Sequence, residues 1–317
     1  MPQLMLRGVA ASLALLATVS AQTLLNDSFS DLDRTNQDLP SSSAWFTISP
    51  TSSLTATSGT LVTTTTQNRA FYTYFTSSSV PQSLAVGDSL QASFDLTFPT
   101  GTSIGTSNHA VRIGLLNSFA TADNDNATAT AFRATTDGAG ISANIMPDAS
   151  GYFFTLNAAP TTTDTVFAWE RVNSASSGQG ILNTAFAAQL GGAGGSDLNF
   201  VLGNTYSVSF TVTRTAEDVT DLTLAISGTF LDADGFNTVT GTQSLSVSDT
   251  STAVYTFDTL ALFTGTNLAA AGTISLDNIN VSVSTSAIPE PGTWAVIAGG
   301  IALGFVFFRR HRRSVSA

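Results

Sequence analysis

Residues 89–98 read SLQASFDLTF, and this stretch decides the fold class. Apolar side chains stand at every second position from Leu90 to Phe98, and Gln, Ser, Asp and Thr stand between them. A repeat of two places alternate side chains on opposite faces of a β-strand, whereas a helix repeats about every 3.6 residues. The stretch therefore predicts a strand with one buried face and one face in water.

The same alternation recurs along the chain and predicts further strands. It is present in Tyr206–Val212 and Leu222–Ile226, and other strands are predicted near residues 70–76, 109–117, 152–156, 165–172 and 254–263. In ISLDNINVSVS (274–284) the apolar positions change parity at Asp277-Asn278, which predicts a β-bulge there. Only residues 183–190 are predicted to form a helical turn, and GGAGG (191–195) is predicted to be a loop.

Ten or more short strands separated by Gly, Asn, Asp and Ser turns predict an all-β protein built from two stacked antiparallel sheets. Spread over residues 22–286, the pattern is similar to a concanavalin A-like jelly-roll β-sandwich. Two smaller sandwiches divided near residues 191–195 are the alternative.

The amino-acid composition limits the classes of partner that residues 22–287 are expected to bind. The chain has 317 residues, no cysteine, and eleven basic residues that are all arginine. Between Gln22 and Ala287 there are 21 acidic residues and 6 arginines, which gives a net charge of −15. Nucleic acids and anionic lipids require clustered positive charge, so they are excluded as partners of the body. The absence of cysteine excludes a disulfide framework.

The N-terminus predicts a signal peptide over residues 1–21. Arg7 supplies the positive charge, and the apolar stretch Val9–Val19 is too short to span a bilayer. Small residues at Val19-Ser20-Ala21 predict cleavage after Ala21. The body is therefore expected to be exported.

The C-terminus predicts a short transmembrane helix over residues 293–308. Ala295–Phe308 contains no charge and would extend about 21 Å as a helix, against the roughly 30 Å hydrocarbon core of a bilayer. Arginine clusters stay on the cytoplasmic side, so the four that follow predict the orientation: Arg309, Arg310, Arg312 and Arg313. A helix this short favours transient anchoring in the inner membrane.

Pro289-Glu290-Pro291 stands directly before that helix and keeps the chain extended. The motif, the following Gly-Thr-Trp-Ala, the short apolar helix and the terminal arginines together resemble the bacterial PEP-CTERM sorting signal, over residues 287–317. The resemblance implies processing by an exosortase, a membrane enzyme. It also implies association with extracellular polysaccharide at the cell surface or in the biofilm matrix.

No residue pattern in the body predicts a catalytic site. Gly87-Asp88-Ser89-Leu90 spells a serine-esterase motif, but no Asp-x-x-His follows, and the motif is interpreted as a turn before a strand. Glycosidases need two carboxylates facing one sugar, and the two glutamates, Glu170 and Glu217, do not form a recognisable pair. The body is therefore predicted not to be an enzyme.

Two loops have the clustered oxygen ligands that calcium prefers, although neither matches an EF-hand. They contain Asp123 and Asp125, and Asp232 and Asp234; solvated loops are the alternative, and no other cofactor is predicted. Five aromatic residues are candidates either for stacking on sugars or for the core: Trp45, Tyr152, Phe153, Phe154 and Trp169.

These patterns predict an exported cell-surface or extracellular-matrix protein with a non-catalytic structural or adhesive β-sandwich. One alternative is a calcium-dependent glycan-binding module. The other is a jelly-roll glycoside hydrolase that uses aspartates.

Overall fold

Two large antiparallel sheets dominate the computed structural model. It describes residues 20–47, 54–57, 59–65, 69–77, 80–98, 111–118, 137, 149–156, 165–171, 181–182, 184, 187–194, 199–232, 237–251, 253–264, 272–286 and 303. The described strands are β1 (Ser20–Asp27), β2 (Trp45–Thr47), β3 (Leu54–Thr57), β4 (Thr60–Thr65), β5 (Arg69–Tyr74), β6 (Gln82–Ser83), β7 (Ser89–Thr97), β8 (Val111–Asn117), β9 (Ser150–Leu156), β10 (Thr165–Arg171), β11 (Ala187–Gly194), β12 (Asn199–Phe200), β13 (Thr205–Ala216), β14 (Val219–Leu231), β15 (Thr238–Asp249), β16 (Thr256–Phe257), β17 (Thr259–Thr264) and β18 (Gly272–Thr285).

The nine-stranded sheet has the order β12-β14-β13-β7-β18-β4-β3, with β15 paired to β14 and β1 paired to β18. The seven-stranded sheet has the order β11-β10-β9-β8-β17-β5-β2. The chain passes directly from one sheet to the other at β1–β2, β2–β3, β4–β5, β7–β8, β11–β12 and β17–β18. Such repeated crossings produce a jelly-roll sandwich.

Alternating side chains explain why the two sheets pack face to face. The apolar positions of β7, β13, β14 and β18 are almost completely buried, and they form one core with the inward residues of β8, β9 and β17. Phe154 of β9 meets Phe210 of β13 across the sandwich, with ring centroids 4.9 Å apart and planes at 81°. The predicted antiparallel β-sandwich is confirmed, and residues Ala21–Thr285 form one compact unit.

The predicted bulge in the last strand is also confirmed. The register between β18 and β7 shifts between Asp277 and Asn280, and Asn278 has a φ of 51°. The extra residue moves the buried positions from Ile274 and Leu276 to Ile279 and Val281. Both halves of β18 therefore present apolar side chains to the same core.

One prediction is wrong. Residues 187–194, placed in a helical turn and a glycine loop, form strand β11 paired with β10. The sequence does not predict this strand because its apolar and polar residues do not alternate and because glycine normally weakens a strand. The glycines fit here because of their neighbours: a Cβ on Gly191 would lie 2.8 Å from Val247 Cγ1, and one on Gly192 would lie 2.7 Å from Phe167 Cε1.

The outer face of the nine-stranded sheet is a network of hydroxyl groups. Cross-strand hydrogen bonds join Ser89 to Thr213 (2.9 Å), Thr97 to Thr205 (2.7 Å), Thr223 to Ser246 (3.0 Å), Ser227 to Thr242 (2.8 Å) and Thr229 to Thr240 (3.1 Å). Such pairs are the units that stabilise a sheet. This face is therefore polar over most of its width.

Four arginines donate to backbone carbonyl groups in loops and at strand ends. Arg34 binds Trp45 O (2.7 Å), and Arg112 binds Leu182 O. Arg171 binds both Ala149 O (2.9 Å) and Ile181 O, while Arg214 binds both Leu84 O (3.0 Å) and Glu217 O (2.8 Å). Burial lowers the pKa of Arg112 to about 10. These side chains satisfy carbonyls that no strand ladder uses.

Candidate functional site

The outer face of the seven-stranded sheet carries aromatic side chains. Most are buried or half-buried and belong to a second apolar cluster outside the main core, and the rings on this face are Phe46, Tyr72, Tyr74, Phe153, Phe167, Trp169 and Phe263. The two faces of the sandwich therefore differ: one is hydroxyl-rich and the other aromatic.

At one end of this face, two half-buried rings lie side by side on β10. Phe167 and Trp169 have ring centroids 6.3 Å apart and planes at 55°. Strand pairing places Gln189, which is exposed, opposite Trp169, and Gly192, also exposed, opposite Phe167. We call these four residues the Phe167–Trp169 patch.

The neighbouring strands fix the orientation of the rings. Phe153 is buried directly opposite Trp169 on neighbouring strand β9, and the two ring centroids are 6.2 Å apart with planes only 10° from parallel. The Trp169 indole N–H donates to Thr155 Oγ1 at 3.1 Å. Gly192 has no side chain to displace the Phe167 ring. These contacts set the orientation of the Trp169 ring and leave room for the Phe167 ring.

The Phe167–Trp169 patch combines an apolar surface with hydrogen-bonding groups. An aromatic ring with one exposed side offers an apolar platform, and an adjacent amide offers both a donor and an acceptor. A few polar groups among aromatic side chains is the usual construction of a small-ligand site. A pyranose has an apolar C–H face and hydroxyl groups around its rim, and it matches both parts of the patch.

The five aromatic residues that the sequence offers either for sugar stacking or for the core differ in their burial. Trp45, Tyr152 and Phe154 are fully buried in the main core, and Phe153 is the buried support of the patch. Tyr152 is held there because its hydroxyl donates to Asp249 Oδ2 at 2.8 Å and accepts from Val254 N at 2.6 Å. Trp169 is the one residue of the five that is half-buried, and it belongs to the patch.

Sequence reasoning missed Phe167, Gln189 and Gly192. Phe167 stands two residues before Trp169 in a predicted strand. Residues two apart in a strand lie on the same sheet face, so the sequence could have identified Phe167 as the neighbour of Trp169. Gln189 and Gly192 carried no such signal because their strand was predicted to be helix and loop. The pairing of β11 with β10 was needed to place them.

The two glutamates considered for a glycosidase pair lie apart in the structure. Glu170 is 3% exposed at the end of β10, whereas Glu217 is exposed in the hairpin between β13 and β14 of the other sheet. Asp95 and Asp277 do face each other across β7 and β18. Both Asp95 oxygens already accept hydrogen bonds, from Ser207 Oγ (2.8 Å) and Asn278 Nδ2 (2.9 Å), on the hydroxyl face.

The Gly87-Asp88-Ser89 segment is a turn that leads into β7. Gly87 has a φ of 94°, and Asp88 Oδ2 accepts from Ala85 N at 3.0 Å. The Ser89 hydroxyl is hydrogen-bonded to Thr213 Oγ1 at 2.9 Å. The interpretation as a turn before a strand is confirmed.

Only one of the four aspartates proposed for calcium lies in the described part of the chain. Asp232 follows β14, and both its carboxylate oxygens accept from Asn237, through N (3.3 Å) and Nδ2 (2.8 Å). Asp123, Asp125 and Asp234 lie outside the described residues. Within those residues, no group of three or more His, Asp or Glu side chains is arranged to hold a metal ion.

The two ends of the chain fall mostly outside the described residues. Ala21 lies in the exposed first half of β1. Pro289, Glu290 and Pro291, almost all of the predicted helix 293–308, and the arginines at 309, 310, 312 and 313 lie beyond the described part. Among the residues that are described, no helix is both long and apolar enough to cross a membrane.

No family model matches this sequence, and no curated protein matches it. Among the solved structures that resemble it distantly, three illustrate the range. The carbohydrate recognition domain of Emp46p in its potassium-bound form has a TM-score of 0.40 and 8% identity, and the match covers 77% of this chain and 89% of that one. Peanut lectin with a bound peptide has a TM-score of 0.39 and 11% identity, with 85% and 98% covered. An endo-1,3-β-glucanase from Streptomyces sioyaensis has a TM-score of 0.42 and 11% identity, with 84% and 97% covered.

Proposed function

We propose that this chain is an exported bacterial surface or matrix protein whose body is a non-catalytic, carbohydrate-binding β-sandwich. The observation that carries the proposal is the Phe167–Trp169 patch: two half-buried rings, oriented by Phe153 and Thr155, beside the exposed amide of Gln189. Extracellular polysaccharide is the proposed partner, and the adhesive role follows from binding it.

The charge of the body favours a neutral ligand at this patch. A net charge of −15 over residues 22–287 repels acidic polymers at low salt, because unscreened like charges raise the cost of approach. The patch itself contains no charged side chain. We therefore propose a neutral polysaccharide, bound through stacking and amide hydrogen bonds.

Binding without catalysis is supported by the positions of the carboxylates. A glycosidase needs an acid and a second carboxylate about 5–9 Å apart on either side of the scissile bond. The described glutamates lie in different sheets, and the facing aspartates, Asp95 and Asp277, lie on the opposite face from the aromatic patch. If the protein is a hydrolase instead, it releases reducing sugar, and Asp95→Asn or Asp277→Asn abolishes that release.

Replacing Trp169 with alanine is expected to weaken polysaccharide binding about 30-fold, since truncating a central aromatic anchor costs on the order of 2 kcal/mol. The measurement is a pull-down isotherm of the exported protein on the host's insoluble extracellular polysaccharide. Tyr255→Ala is the matched control, because Tyr255 is 37% exposed but lies outside the patch. Equal binding by the Trp169→Ala variant and the wild type would contradict the proposal.

The same isotherm tests the proposed calcium dependence. We propose that glycan binding requires calcium, held by the loop with Asp123 and Asp125 or by the loop with Asp232 and Asp234. Binding that disappears with a chelator and returns with added calcium supports this role. Binding that is unchanged by the chelator removes calcium from the proposal and leaves the patch as the whole site.

We also propose that the C-terminal segment is a sorting signal processed by an exosortase-type enzyme. Changing Pro289, Glu290 and Pro291 to alanine is expected to leave full-length precursor in the inner membrane, because the recognised extended motif is lost. Immunoblots of membrane and extracellular fractions measure this. Alanines at Ser314, Val315 and Ser316 are the control, and normal release of the motif variant would refute the sorting role.

A further inference from the structure

The edges of the sandwich are unequal on its two sides. On one side the two sheets end in β3 and β2, which have four and three residues. On the other side they end in β15 and β11, which have twelve and eight residues. These two long strands lie against each other, with Gly191 facing Val247. Strand β1, with eight residues, also lies at an edge of the nine-stranded sheet, because among the described strands it pairs with β18 alone. With twelve residues, β15 is the longest edge strand that the structure describes.

Strand β15 lacks the usual protection of an edge strand. Proteins block such edges with short strands, lysines, prolines or bulges, because free N–H and C=O groups can pair with another chain. The sequence TVTGTQSLSVSD has no lysine, arginine or proline, and its pairing with β14 is continuous. Its one charged residue, Asp249, is buried and bound to Tyr152. Among the described strands, β15 pairs with β14 alone.

We propose that β15 is a dimer interface, at which a second copy of this chain adds its own β15 in antiparallel orientation about a twofold axis. The two nine-stranded sheets would then be continuous across the dimer. Twelve residues extend about 40 Å, which is long for an edge strand left in water.

The side chains of β15 fit a copy of themselves. Every residue on its outer face carries a hydroxyl group: Thr238, Thr240, Thr242, Ser244, Ser246 and Ser248. On the β14 side, hydroxyls of this row already pair across strands, as in Thr223–Ser246 at 3.0 Å and Ser227–Thr242 at 2.8 Å. A second β15 brings an identical row, so the same kind of bond forms in any symmetric register that keeps this face outward.

The distribution of charge also favours β15, rather than other parts of the surface, as the dimer interface. Two bodies that each carry −15 repel each other, and the repulsion is smallest where the contacting strand has no exposed charge. Dimerisation is therefore expected to strengthen as salt concentration rises, whereas an interface built from ion pairs would weaken.

The first experiment uses cross-linking, because the chain contains no natural cysteine. Ser244 lies near the middle of β15, so in the two symmetric registers that overlap most and keep the hydroxyl face outward it meets either its own copy or Thr242 of the second copy. Full-length Ser244→Cys protein in detergent solution, treated with a short bismaleimide, is expected to give a covalent dimer. Gln91→Cys is the control, since Gln91 is exposed on the same face but on interior strand β7.

The second experiment measures the dimer without a cross-linker, by light scattering over a range of protein concentrations. Ser244→Lys is expected to raise the dimer dissociation constant at least about tenfold, because like charges directly opposite are destabilising. Gln91→Lys adds the same charge and is expected to change nothing. A wild-type protein that stays monomeric, or cross-linking and dimerisation equal at Ser244 and Gln91, would overturn the proposal.

Discussion

Replacing Gly151 with alanine is expected to lower the free energy of unfolding by about 4 kcal/mol, which is near the limit for a single substitution. Gly151 begins the inner part of β9 with a φ of 141°, a conformation that costs about 1–3 kcal/mol for other residues. Its Cβ would also lie 2.8 Å from Leu116 Cα and closer still to Leu115 O. Because these neighbours are backbone atoms of a paired strand, they cannot move away without breaking the pairing.

Gly59→Ala is the matched control for this prediction. Gly59 has a φ of 80° in the turn between β3 and β4, but its Cβ would be 3.5 Å from the nearest atom, Ser28 O. Only the conformational strain remains, so a loss of about 1 kcal/mol is expected. Urea denaturation measures both variants. If the two losses are equal, the contact with β8 is not the cause.

Replacing Asp258 with alanine is expected to cost about 3 kcal/mol. Asp258 is fully buried between β16 and β17. Its carboxylate accepts from Ser118 N (2.8 Å), from Thr259 Oγ1 (2.7 Å) and from Ser118 Oγ. Removing the carboxylate leaves buried donors without an acceptor, and each such donor costs about 1–3 kcal/mol.

Two comparisons separate this effect from a loss of volume or charge. Asp258→Asn keeps one carbonyl oxygen for Ser118 N, so about 1 kcal/mol is expected. Asp31→Ala removes an exposed aspartate that accepts from Asp33 N at 3.1 Å, and less than about 0.5 kcal/mol is expected. If Asp258→Ala unfolds at the same urea concentration as Asp31→Ala, the buried carboxylate does not join β8 to β17.

In three strands with one wet face the sequence predicted both the strand and its buried side, whereas β9 and β17 were predicted as strands although both of their faces are buried. In β7, β13 and β14 the polar positions mark the outer side, so the pattern alone identifies both the strand and its buried residues. The bulge at Asp277-Asn278 was also predictable, because the apolar residues change parity within one strand. Local sequence is sufficient where each residue's environment repeats every second position.

Strand β11 shows where local sequence is insufficient. Nothing between Ala187 and Gly194 alternates, and the two reasons for glycine, the Phe167 ring and Val247, are distant in sequence. The same limit applies to the candidate site. Trp169 was one of five aromatic candidates for either sugar stacking or the core, and its half-buried position and the full burial of Trp45 depend on which sheet face each occupies.

The arginine hydrogen bonds give a reason for an odd feature of the composition, the complete absence of lysine. Arg171 and Arg214 each donate hydrogen bonds to two backbone carbonyl groups that belong to different segments of the chain. A guanidinium group can do this because its donors point outward in a plane, whereas the lysine ammonium is a single compact point. Within the described body, these positive charges serve to join loops to the sheets, a task in which lysine is a poor substitute for arginine.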